Sequence, residues 1–197
     1  MDNSDPETVY RGPDIPAPLG ERLKLALGLD DRPETFGDWV NAMSQIADRD
    51  DIDVDLDMLC TTEESPHRAR FSGKTQHYQC VQDPIIAPFL ADEVDTVEIE
   101  TRGPVSDEAI ELTVTESGID AEPSDAVFSF GVDATVEEPP KDVVSPIVAY
   151  GLFCPYGHAF LSYDEYEEWA ETVDAFTMAT SMEDTHELAR AIGHVGR

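Results

Sequence analysis

The sequence predicts an α+β protein: a short N-terminal helical module followed by a mixed or antiparallel β-sheet core with flanking helices. Three observations predict it. Apolar residues recur at helical spacing between positions 19 and 47. The middle of the chain switches to runs that alternate every second residue. Two segments near the C-terminus, each headed by a serine, return to helical spacing. Periods near 3.6 and 2 are the signatures of one-sided helices and one-sided strands.

Taken in order, residues 1–18 hold Pro6, Pro13, Pro16 and Pro18 among charges and read as an extended or disordered lead-in. Leu19, Leu23, Ala26 and Leu27 mark one helix face, stopped by Gly28. Phe36, Trp39, Val40, Met43 and Ala47 mark a second helix, with Thr35 as its N-cap. These two form a helical module over 19–50, and 51–197 is read as one α+β domain.

That domain opens with Ile52, Val54, Leu56 and Met58 alternating with Asp51, Asp53, Asp55 and Asp57, the pattern of a half-buried strand, and Cys60 falls in phase with its apolar face. Ser72-Gly73-Lys74 reads as a hairpin turn between His67–Phe71 and residues 76–80. Val97 and Ile99, then Ile110, Leu112 and Val114, then Val127, Phe128 and Phe130 continue the strand pattern. Residues 137–141 read as a loop and 143–153 as a buried strand. Ser162 with Glu165, and Ser181 with Asp184, are capping pairs that start two closing helices. No internal repeat is evident.

The charge balance is extreme: 43 acidic residues against 12 basic ones, a formal net charge of −31, spread along the whole chain. Such a chain repels itself in ordinary salt. At molar salt the screening length falls to about 3 Å and most of that repulsion vanishes. The composition therefore points to a high-salt cytoplasm, as in a halophilic archaeon. It disfavours a nucleic-acid partner, because phosphate binding needs clustered Lys and Arg. No targeting segment and no apolar run of membrane-spanning length occur, so a cytoplasmic protein without a membrane partner is expected. The three cysteines, Cys60, Cys80 and Cys154, are an odd, sparse set and should be free thiols.

Two constellations can carry chemistry. In Cys80-Val81-Gln82-Asp83-Pro84, Asp83 reads as a helix N-cap and Pro84 as the first helical residue. Cys80 then lies just before a helix N-terminus, which favours the thiolate. Taken alone, the C-x-x-D spacing fits a buried cysteine before an ordinary cap at least as well. In Phe153-Cys154-Pro155-Tyr156-Gly157-His158, a cysteine ends an apolar run where Pro and Gly turn the chain. That fits either a reactive thiol at a strand end or a core cysteine beside a surface turn, and His158 either orients a site group or is structural. Cys60, His67, Cys80, Cys154 and His158 supply ligand types for zinc, but none of the paired spacings of a structural zinc site. No G-x-S-x-G nucleophile motif and no phosphate-binding glycine loop occur.

The ordered set of these features resembles the organomercurial (alkylmercury) lyases. Tyr78-Gln79-Cys80-Val81-Gln82-Asp83 is similar to that family's aromatic-x-Cys-x-x-Asp motif. The apolar run 84–90, the strands near Val97 and Ile110, Phe153-Cys154 with His158-Ala159-Phe160, and the Tyr166–Trp169 segment follow in the family's order. The similarity covers roughly residues 67–175. The residue before the first cysteine, commonly Trp in the family, is Gln79 here. A structural cysteine often found between the two site cysteines is absent. Cys60 is extra by that pattern, either core packing or a third thiol near the site, and the N-terminal module is shorter than the family's winged-helix-like one.

The resemblance implies that Cys80 and Cys154 bind the mercury of R–Hg⁺ as a thiolate pair. Asp83 would deliver a proton to the departing carbon, so that R–H leaves and Hg²⁺ remains. Mercury is then substrate and product, no resident cofactor is implied, and external thiols are needed for product release. A mercuric reductase is the implied acceptor. The alternative on the same residues is a non-catalytic heavy-metal sensor or carrier, which needs the thiols but not Asp83. A DNA-binding regulator built on the N-terminal helices is argued against by the lack of basic residues.

Overall fold

The computed structural model describes residues 10–50, 52, 54–139 and 152–195. Among the described residues the chain forms five α-helices and nine strands, in two antiparallel sheets. The larger sheet is built outward from a hairpin. Strands β2 (His67–Phe71) and β3 (Lys74–Tyr78) pair antiparallel through a two-residue turn. In that turn Ser72 and Gly73 both take positive φ, 48° and 73°. Such left-handed turns match the right-handed twist of the flanking strands. The short β1 (Thr61–Thr62) adds beside β3, and β4 (Thr96–Arg102), β5 (Ala109–Thr115) and β6 (Gly118–Glu122) extend the other side. The strand order is β1-β3-β2-β4-β5-β6.

Alternation on these strands sorts the two faces. Ala69, Val97, Ile99, Ile110, Leu112 and Val114 point inward and are buried. Helix α3 (Gln82–Leu90) lies against that face and contributes Ile85, Ala87, Phe89 and Leu90 to the same core. Outside, Arg68 pairs with Glu100 and Arg70 with Glu98, in ladder positions that face one another. Exposed pairs of this kind add little stability singly.

Helices α1 (Ala17–Leu27) and α2 (Phe36–Asp50) pack on a second sheet. Its order is β8 (Ala159–Phe160), β7 (Val127–Asp133), β9 (Ala175–Thr180). Thr35 caps α2 through its hydroxyl to the Asp38 N–H at 3.1 Å, and Asp38 answers to the Thr35 N–H at 2.9 Å. Phe36 and Trp39 meet Phe130 of β7 edge-on, each with ring centroids 5.1 Å apart. Helix α4 (Tyr163–Ala170) is capped by Ser162 and helix α5 (Met182–Ile192) by Ser181, as the capping pairs predict. Helix α5 joins the two cores, with Ala189 in the first and Leu188 in the second.

Three expectations change. The described end of the alternating run does not form the expected strand: a 3₁₀ turn occupies Leu56–Met58, with Asp55 accepting from the Asp57 N–H at 2.9 Å, while Asp51 and Asp53 lie outside the described residues. A local Asp cap outcompetes extension there, and in so acidic a chain alternation of aspartate is weak evidence for a pleat. Residues 175–180, unassigned by periodicity, form β9. Helix α3 starts at Gln82 rather than after Asp83, so Asp83 does not cap it. The buried strand read at 143–153 falls mostly outside the described residues.

Ile99 is 1% exposed in the centre of the larger core. Ile99→Ala should cost about 2–5 kcal/mol of unfolding free energy, measured by denaturant titration in high salt.

Candidate active site

Three chain segments bring the cysteines together. Cys60 follows the 3₁₀ turn and leads into β1, Cys80 sits between β3 and α3, and Cys154 opens a 3₁₀ turn over Cys154–Tyr156. All three are buried and cluster with one another. The Cys154 thiol hydrogen-bonds with both Cys60 and Cys80.

Backbone pairing sets this convergence. The Gln79 N–H donates to the Cys60 carbonyl at 2.8 Å and the Val81 N–H to the Gly157 carbonyl at 3.1 Å, so residues 79–81 are stitched to both other segments. The turn bearing Cys154 is fastened to β7 by Ser129. Its hydroxyl donates to the Tyr156 carbonyl at 2.7 Å and accepts from the His158 N–H at 3.0 Å. Gln82 donates its amide to the Ser129 carbonyl at 2.5 Å. Gly157 is required by close approach: a Cβ there would lie 2.9 Å from the Cys80 Cβ.

Asp83 reaches into the same cluster. Its carboxylate accepts the Cys60 N–H at 2.7 Å and hydrogen bonds from the thiols of Cys60 and Cys80. One carboxylate oxygen and the sulfurs of Cys60 and Cys154 all lie within 4.8 Å of one another. Burial pushes the Asp83 carboxyl above the usual carboxylate range, against the pull of these donors. Cys154 is also raised, by its hydrogen bonds with Cys60 and Cys80 and then by burial. For Cys80 the hydrogen bond from Cys154 favours the thiolate, but burial and the Asp83 charge together outweigh it and raise the thiol. The expectation that a helix N-terminus favours the Cys80 thiolate is therefore corrected: burial and the Asp83 charge oppose it.

Above the cluster lies a cavity of about 220 Å³. Cys60, Cys80, Asp83 and Cys154 line it, and apolar side chains supply most of the remaining wall, among them Trp39, Met43, Ile86, Phe130, Phe153 and Ile192. The site thus presents soft sulfur and one acid beside a greasy chamber.

The profile of the alkylmercury lyase family, MerB, matches residues 60–193. The chain belongs to the alkylmercury lyase family. The match begins at Cys60 and runs through α5, spanning the whole thiol cluster. The family's members are carbon–mercury lyases, so this chain is an organomercurial lyase. A crystal structure of the mercury-bound form of MerB2 superposes with a TM-score of 0.50 at 16% identity. That superposition covers 82% of this chain and 77% of the other, and carries the α+β fold. No curated protein sequence matches the chain.

The structure brings Cys80, Asp83 and Cys154 together, as the family resemblance implies. Sequence reasoning left Cys60 open, and its place in the cluster depends on pairing between β1 and β3 that no local pattern encodes. It also missed Gln82 and Ser129, whose polar side chains in apolar surroundings were the available signal. His158 does not enter the site. Its Nε2–H donates to the Pro155 carbonyl at 2.8 Å, and its ring packs on His67 and Trp169 with centroids 5.4 and 5.3 Å away, so it braces the turn. Among the described residues no helix is long and apolar enough to cross a membrane.

Gly157→Ala should force Cys154 away from Cys80 and lower stability by about 1–3 kcal/mol, read by denaturant titration. His67 is 1% exposed, its Nδ1 is 2.7 Å from the Thr101 hydroxyl, and burial followed by the neighbouring His158 lowers its pKa from 6.5 to about 3. The unfolded chain takes up this proton near pH 6.5 and the folded chain only near pH 3. Stability should therefore fall as pH drops through that window, by up to about 5 kcal/mol. His67→Asn should show a shallower slope from pH 6.5 to 4 in unfolding experiments at constant high salt.

Proposed function

We propose that this lyase cleaves R–Hg⁺ by protonolysis, with Cys80 and Cys154 as the mercury-binding thiols and Asp83 as the proton carrier. The observation that carries the reading is a half-buried carboxyl set beside thiols at the floor of an apolar cavity. Soft thiolates suit a soft metal. The first thiol displaces the leaving ligand X from R–Hg–X, forming S–Hg and releasing HX. The second thiol passes its proton to the Asp83 carboxylate, and its sulfur adds to mercury. Two sulfur donors raise electron density on the metal and weaken the carbon–mercury bond. Asp83 then gives the proton to the carbon, which leaves as R–H with the bonding pair. Mercury remains as the neutral dithiolate, and Asp83 is again a carboxylate.

Thiols raised by burial fit this sequence, since each proton that mercury displaces is used or discharged. The cavity suits the organic group. An apolar cavity of about 150 Å³ is large enough for benzene, so a phenyl substituent fits within this one, and exclusion of water keeps the acid next to the carbon. Two external thiols then exchange with the dithiolate, restoring both cysteines and carrying Hg²⁺ away to an acceptor such as a mercuric reductase. The acidic composition supports work in a high-salt cytoplasm.

In high salt with excess thiol, the wild type should release benzene from phenylmercury or methane from methylmercury. Asp83→Asn and Cys154→Ser should each lower that rate by about 100-fold or more, the scale of a lost proton donor. Mercury binding with no hydrocarbon from any substrate would leave a sensor or carrier. Unchanged rates in both variants would remove these residues from the site.

A further inference from the structure

Cys60 is the feature that the two-thiol chemistry leaves unused. It comes from the far side of the cluster, where its sulfur, the Cys154 sulfur and an Asp83 oxygen lie within 4.8 Å of one another. Its thiol hydrogen-bonds with Cys154 and with Asp83, and it lines the same cavity as Cys80. Cys154 is thus flanked by one thiol on each side.

We propose that Cys60 is a third mercury ligand, which closes on Hg²⁺ after the hydrocarbon has left and holds the product as a trithiolate. The inference rests on the lyase reading for its timing and on the geometry alone for the ligand set. While R occupies one position on mercury, two sulfurs and the carbon fill its coordination. Departure of R–H opens a position beside Cys154, next to the Cys60 sulfur. The step balances with groups already present. The Cys60 S–H bond breaks, its proton goes to the Asp83 carboxylate that has just discharged, and the sulfur forms a bond to mercury. Neutral Hg(S-Cys)₂, a thiol and a carboxylate become Hg(S-Cys)₃⁻ and a carboxylic acid, with the total charge unchanged. No oxidant or further reactant is needed. Soft sulfur is the donor that mercury prefers, so a third thiol beside Cys154 and the Asp83 carboxyl, in the same buried cluster as Cys80, gives mercury a better site than a pair of thiols. The consequence is a held product: external thiol must displace three sulfurs rather than two.

The test loads the full-length protein with one equivalent of inorganic Hg²⁺ in chloride-free high salt. Sulfurs per mercury are counted by X-ray absorption at the mercury edge and by the sulfur-to-mercury charge-transfer bands. Three sulfurs are expected in the wild type and two in Cys60→Ser. This variant keeps the main-chain N–H that anchors Asp83, and the wild-type count needs no variant at all. Transfer of Hg²⁺ to a large excess of a small thiol should be at least tenfold faster from Cys60→Ser. Two sulfurs in the wild type, or equal transfer rates, overturn the proposal. Benzene release from phenylmercury is followed in parallel. Three sulfurs without benzene would retain the Cys60 ligand and remove the lyase reading, whereas benzene with two sulfurs would do the reverse.

Discussion

A half-buried carboxyl group joins the three segments of this site. Asp83 is held by the Cys60 main-chain N–H at 2.7 Å and by the thiols beside it. A buried polar group without partners costs several kcal/mol, and a charged one more. The fold therefore tolerates Asp83 only where Cys60, Cys80 and the start of α3 are in register. The pairing of Gln79 with Cys60 and of Val81 with Gly157 supplies that register. Loss of either contact leaves the acid short of donors and the sulfurs apart.

Structural rigidity around the cluster is distributed unequally. The Cys80 side rests on the hairpin and the central sheet, whose inner face is continuously apolar. The Cys154 side rests on a short turn pinned by Ser129, braced by His158 and given clearance by Gly157. The upper wall belongs to α2 and α5 through Trp39, Met43 and Ile192, and the Trp39 indole N–H is buried there without a hydrogen-bond partner. In the proposed reaction the polar floor would meet the metal and the largely apolar roof the carbon group it carries.

What the sequence disclosed follows from how local each signal is. Helices α1, α2, α4 and α5 were legible because their apolar stripes, and in all but α1 a serine or threonine cap, are written locally. The hairpin at Ser72-Gly73 was legible for the same reason. The run 51–58 misled because aspartate alternation reflects the acidity of the whole chain, and β9 was hidden because an edge strand of half-buried residues shows no clean two-residue period. At the site, Asp83 read locally as a cap, whereas its partners are the N–H of Cys60 and two thiols, one of them 23 positions away in sequence. Only the family resemblance joined Cys80, Asp83 and Cys154, and it is the tertiary packing that adds Cys60 to them. Long-range contacts of this kind carry no periodicity to detect.

The distribution of the cysteines along the chain has a thermodynamic side. In a chain that has not folded, Cys60, Cys80 and Cys154 must close long loops before they can share one ion, and that closure costs entropy. The fold has already brought the three residues into one buried cluster beside the acid. In the proposed product complex the ion would tie three remote segments together and stabilise the native state over the unfolded one by mass action. Resistance to unfolding would then rise with mercury loading.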